Sequence, residues 1–268
     1  MHKTKGIGGQ FSLMLLMGFV TNTVVAGNGD DSNAHPWKDM STVPLYSYVA
    51  TISAGPVWAN GANAQTFYLQ PDILKTFTGN RTNTVLGYGE LFLGIQRTVM
   101  APFDGQLGIA VATTGNAKLS GNVWDDGVPQ FNNFIYSYNV RHTHVAVMGK
   151  LLRDANSLDP WLSGIKPYLS GSLGVGFNRA TSFSLTPTIF EAVPFPTFTT
   201  NSTTTFTYTV GAGIQREITN NWQAGIGYEF ADWGKNQLGA APGQTIGSGL
   251  LMNHLYTNGL MFNLTYLT

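Results

Sequence analysis

His142 and His144 stand two residues apart in RHTHVAVMGK (141–150). Residues two apart on a strand share a face, so both imidazoles could approach one divalent metal ion. No third ligand stands at a matching spacing, and the pair reads as interface or loop-proximal histidines. Asp125 and Asp126 adjoin in NVWDDGVPQFNN (122–133), where the spaced acidic pattern of a calcium loop is missing, so they read as a solvated turn. No G-x-S-x-G nucleophile motif is present. The chain is therefore not expected to be an enzyme, and no catalytic, cofactor-binding or metal residue is assigned. What remains are isolated charges, Glu90, Arg141, Lys166 and Glu229, each set among Thr, Ser, Gly and Gln on the polar face of an alternating segment.

The segments that carry these charges must be strands. In NWQAGIGYEF (221–230), Trp222, Ala224, Ile226, Tyr228 and Phe230 fall on one side, with Gln223, Gly225, Gly227 and Glu229 on the other. The same alternation recurs near 46–58, 82–98, 105–118, 133–151, 165–180, 204–218 and 254–267, about eight segments in all. Each is long enough for the roughly 9 to 11 residues of a tilted membrane-crossing strand. The links at 100–105, 154–164 and 219–221 are short. Those near 59–81, 119–132, 181–203 and 234–253 are long and rich in Asn, Gly, Thr and Pro. In a meander, alternate links emerge at opposite ends, so one end bears turns and the other loops.

Composition decides which way the apolar faces point. Charged residues are 10% of the chain, against about 25% in ordinary soluble domains. A soluble sandwich would need outward faces dense in Lys and Glu. Small polar residues with sparse charges suit the cramped lumen of a narrow barrel whose apolar faces meet lipid. The expected fold is all-β, a transmembrane up-and-down antiparallel barrel of about eight strands, with short periplasmic turns and long extracellular loops. Closure also removes the strand edges that lipid cannot tolerate. Trp58, Trp161, Trp222, Tyr228, Trp233 and Tyr266 are the candidate interfacial aromatic anchors.

The N-terminus reads as a targeting segment. Lys3 and Lys5 precede the apolar run FSLMLLMGFV (11–20), and a small-residue site ends at Ala26. The expected division is a signal peptide at 1–26, a periplasmic lead-in at 27–44 and the barrel at 45–268. Cleavage would remove 2 of the 14 basic residues and no acidic one, leaving 12 against 14, or −2. That balance excludes a nucleic-acid partner, which requires a basic face. The chain has no cysteine, so stability must come from backbone pairing and burial.

With the signal segment, the loop asymmetry, YLSGSLGVGF (168–177), AGIGYEF (224–230) and the terminal LMFNLTYLT (260–268), the chain resembles the small eight-stranded outer-membrane barrels of Gram-negative bacteria, the OmpA-transmembrane-like and opacity-type surface proteins. It departs from them at its end, where Tyr266 is third from last and Thr268 stands in place of the usual terminal aromatic residue. The resemblance implies an integral outer-membrane protein with both termini periplasmic. Its partners would be outer-membrane lipid and lipopolysaccharide, the barrel-assembly machinery during insertion, and a host or surface ligand reached through the loops. Glu90, Arg141, Lys166 and Glu229 would form a lumen charge network that plugs or gates the barrel. The loops would serve envelope integrity, adhesion or host contact. A small porin or narrow channel is the alternative, and a rim-located lipid-modifying enzyme the weaker one.

Overall fold

The computed structural model describes residues 46–60, 64–80, 84–154 and 164–268; the expected signal segment, the lead-in and Trp161 lie outside them. In chain order the strands are β1 (Ser47–Asn60), β2 (Gln65–Gln70), β3 (Ile73–Gly79), β4 (Thr84–Met100), β5 (Phe103–Asp125), β6 (Asn132–Arg153), β7 (Ile165–Pro187), β8 (Asn201–Glu217), β9 (Trp222–Asp232), β10 (Asn236–Gln237), β11 (Leu251–Met252) and β12 (Tyr256–Leu267). Eight of them form a ring in the order β1, β4, β5, β6, β7, β8, β9, β12, every pair antiparallel, and the ring closes where Val49 of β1 faces Leu267 of β12. This is an up-and-down transmembrane β-barrel of eight strands. Among the described residues no helix is long and apolar enough to cross a membrane.

The lipid belt follows from the register. On β6, Val145, Val147 and Leu151 are exposed and point outward between Arg141 and Arg153, also exposed. About 12 residues at about 3.3 Å each, tilted by about 40°, give a height of roughly 30 Å, enough to cross a hydrocarbon layer. Leu107, Ile109 and Val111 continue the belt on β5, Leu169, Leu173, Val175 and Phe177 on β7, and Phe206, Val210 and Ile214 on β8.

The long-loop end departs from the expected layout. β5 and β6 run on well past the belt and are joined by a turn at Asp126–Phe131, so most of the expected loop 119–132 is strand. Much of the expected loop 59–81 is the β2–β3 hairpin, and β3 pairs with the extension of β5 from Lys75 opposite Asp125 to Gly79 opposite Gly121. Gly121 is required there, because any Cβ would overlap the Thr78 carbonyl.

Along this extension the pattern inverts. On β6 the inward residues Phe134, Tyr136, Tyr138 and Val140 are all buried, whereas Ser137 and Asn139 face outward. Beyond the belt the outer wall meets water instead of lipid, so the apolar face turns inward as in a soluble protein. Segments 188–200 and 233–255 fold onto this extension, and their Phe198, Trp233, Leu238, Leu250 and Leu255 are buried in one apolar cluster with Phe77 and Phe134. Thr199 and Gly239 bridge the two segments, and Thr199 Oγ1 donates to the Ala240 carbonyl at 3.0 Å. An apolar cap thus closes the loop end of the barrel.

Candidate functional site in the barrel lumen

At belt height, β4 turns Glu90 inward, β9 turns Glu229 inward and β6 turns Lys150 inward, and the three line one cavity with Tyr168, Ser53 and Asn263. The alternation that sends Leu91, Leu93, Tyr228 and Phe230 to lipid leaves these groups nowhere else to point. Two carboxylates and one ammonium in a closed, low-dielectric lumen require partners. Tyr88 Oη donates to Glu90 Oε2 at 3.0 Å. Lys150 Nζ donates to Gln215 Oε1 at 2.5 Å and lies 3.9 Å from the centroid of the Tyr168 ring. Gln215 in turn donates to Gln223, and Asn263 Nδ2 donates to Tyr168 Oη at 2.7 Å. The cavity is about 40 Å³, and one water needs roughly 10–15 Å³ by the same measure, so it can hold a few waters and no larger solute.

Tyr168 fits because β9 has no side chain beneath it. A Cβ at Gly227 would overlap the Tyr168 hydroxyl and come within 3.0 Å of the Ala212 carbonyl. Gly227→Ala is expected to displace the ring from Lys150 and to lower stability by about 1–3 kcal/mol, read by urea unfolding in detergent. Unchanged unfolding would show that the ring is free to shift.

The expected four-charge network forms only in part. Glu90 and Glu229 share the cavity. Lys166 points inward but lies at the turn end, where its Nζ is 2.7 Å from Glu217 Oε1 and 4.0 Å from Asp104 Oδ2. Arg141 is not in the lumen at all: it is exposed on the outer wall. The lumen cation of β6 is Lys150, which the sequence reading missed. Its signal was available, since Val145, Val147 and Leu151 assign odd positions of β6 to lipid and even positions to the interior.

Above this tier His142 and His144 are fully buried in the lumen, so they are not interface histidines. Asn178 Nδ2 donates to the carbonyls of Trp233 and Lys235, at 2.7 and 2.8 Å, which orients Asn178 Oδ1 toward His142 Nδ1 at 2.7 Å. His142 therefore carries its proton on Nδ1. Its Nε2 accepts from His144 Nδ1 at 3.0 Å, leaving His144 Nε2 a lone pair without a partner among the described residues. No group of three His, Cys, Asp or Glu among the described residues is placed to hold a metal ion. The chain of bonds ties the cap segment to the wall.

Trp233 also departs from its expected place at the interface. It is fully buried, stacked on the His142 ring with centroids 4.8 Å apart and planes 3° apart, and cannot anchor in an interface. The other described aromatic candidates face outward. Trp222 and Tyr266 pack together at 5.1 Å near the turn end. Tyr228 Oη accepts from Asn258 Nδ2 at 2.7 Å, and Trp58 is half-buried in the register position opposite Asn258. Asp126 lies in a turn, as expected, but Asp125 is the last residue of β5 and is not simply solvated: Lys75 pairs with it and Asn133 Nδ2 donates to it at 2.7 Å.

No family model and no curated protein matches the chain. Among solved structures it is similar to Neisserial surface protein A (12% identity, TM-score 0.40, covering 82% of this chain and 96% of that one). It is similar also to the outer membrane protease OmpT from Escherichia coli (9% identity, TM-score 0.44, 83% and 97%). A third is Ail, the attachment invasion locus protein of Yersinia pestis (13% identity, TM-score 0.32, 82% and 98%). At these values the likenesses carry nothing about activity, and the fold stands on the closed ring of strands.

Proposed function

We propose that this chain is an integral outer-membrane barrel protein that acts at the cell surface, through contact between its loop end and a surface or host ligand. The observation that carries this reading is the division of labour within segment 188–200. Phe195 and Phe198 pack into the cap, while Phe190 is 100% exposed and Val193 82% exposed. A loop held down by two aromatics that still holds a third in water has the character of an interaction site. The start of β1, the end of β12 and the turns at 101–102 and 218–221 lie at the opposite end, which suits a periplasmic face, with lipopolysaccharide around the loop-side half of the belt.

The test is attachment by cells displaying the parent chain or a Phe190→Ser/Val193→Ser variant, matched for folded barrel by heat-dependent gel mobility. Burying one Phe is worth about 1.5–3 kcal/mol, so attachment should weaken about tenfold or more. Equal attachment would overturn the reading. The channel alternative has against it the cap and the filled lumen. In a planar bilayer the parent barrel should be silent, and stepwise conductance altered by Glu90→Gln would put the channel reading first.

A further inference from the structure

The displacement of Arg141 from lumen to outer wall leaves a guanidinium that the lumen network does not use, and its surroundings are unusual. On the β6–β7 ladder Arg141 faces Arg179 directly, and both are exposed. Cβ atoms of directly opposed residues lie about 4.5–5.5 Å apart, and like charges so placed are destabilising. Ion pairs among the described residues join Lys75 to Asp125, Lys166 to Asp104 and Glu217, and His254 to Asp232, so none compensates this pair. The rung continues to Asn116 on β5 and Ser202 on β8, which bring an amide and a hydroxyl and no carboxylate. The outward arginines of the other rim are arranged differently: Arg97 faces Gly105, Arg153 faces Phe103, and Arg216 lies between Ile165 and Ala224. Among the described residues two cations confront each other in register only at this rung, which is the next outward one beyond Phe177 and its partner Thr143, where the belt ends on the loop side.

We infer that Arg141 and Arg179 form a binding site for the phosphate of an outer-leaflet lipid headgroup, the phosphorylated sugar of lipopolysaccharide. A phosphate between two guanidiniums accepts paired, charge-assisted hydrogen bonds from both and converts their repulsion into a shared attraction. Asn116 and Ser202 extend the donor row on either side. The height matches, because headgroups begin where lipid-facing side chains end. The inference rests on the outer-membrane reading above, with the loop end in the outer leaflet.

The test uses the chain refolded in detergent, with folding of every variant checked by heat-dependent gel mobility. Diphosphorylated lipid A, dephosphorylated lipid A and inorganic phosphate are each titrated, reading retained lipid by native mass spectrometry and the temperature at which the folded band is lost. Diphosphorylated lipid A should bind and raise that temperature. Arg141→Gln and Arg179→Gln should each weaken binding at least tenfold, Arg141→Lys less so, and Arg153→Gln should leave it unchanged. Without lipid, Arg141→Gln should be at least as heat-resistant as the parent, because the substitution removes a repulsion; a merely structural arginine would lose resistance there too. The proposal is overturned by equal binding to the double Gln variant, by equal binding of the dephosphorylated lipid, or by inorganic phosphate protecting as well at the same concentration, which would mean a free-anion site. A parent chain that forms no heat-modifiable barrel in detergent would instead remove the membrane-barrel reading itself.

Discussion

Lys150→Met is expected to destabilise the barrel by about 3–5 kcal/mol, the usual effect of stripping one partner from a buried charge network. Glu90 and Glu229 would then share their cavity with no cation, and Tyr168 would lose the ammonium held against its ring. Methionine keeps most of the length and apolar stem of lysine, so the loss reports charge more than volume. Urea unfolding of the detergent-refolded barrel, followed by tryptophan fluorescence, measures it. A triple variant carrying Glu90→Gln, Glu229→Gln and Lys150→Met should regain much of the stability, since the three groups couple and a neutral lumen has no charge left uncompensated. A single-variant change below about 1 kcal/mol would mean that cavity water already screens the charges.

Trp233→Ala is the second large effect, at about 3–5 kcal/mol for a fully buried tryptophan. Its consequence should be local. The ring covers His142, and the Trp233 carbonyl accepts from Asn178, so its removal unseats the start of segment 233–255 while the lipid belt remains paired. Trypsin cleavage after the exposed Lys235 should become much faster, with the folded gel mobility of the remaining barrel retained. Trp233→Phe should lose far less, because Trp233 Nε1 has no hydrogen-bond partner among the described residues and only volume is given up. Parental protease resistance in the alanine variant would show that the cap is held by the β10–β11 pairing and the Thr199–Gly239 bridge instead.

Both predictions rest on groups whose positions parity alone could have located. Trp222, Tyr228 and Phe230 assign even positions of β9 to lipid, which sends Glu229, Ala231 and Trp233 inward. Treating Trp233 as an interfacial anchor applied aromatic composition where face should have decided. Arg141 is the same lesson on β6. One residue of parity moves a side chain from lumen to outer wall, and with it the entire set of groups it can meet.

Alternation, the scarcity of charge and the uneven links were sufficient to determine an eight-stranded membrane barrel with one turn end and one loop end, because strand period and lipid exposure are local constraints that each segment must satisfy by itself. They also carried the inversion of β6, in which Phe134, Tyr136 and Tyr138 share a face with His142, His144 and Lys150. Reading that inversion required knowing where the belt stops, and only the assembled ring supplies that height. Tertiary structure alone decided that Glu90, Glu229 and Lys150, from β4, β9 and β6, share one cavity, that segments 188–200 and 233–255 close over the mouth, and that Arg141 opposes Arg179. Those are contacts between residues far apart in the chain. They depend on strand register and ring closure, which alternating side chains permit in many forms and the closed barrel permits in one.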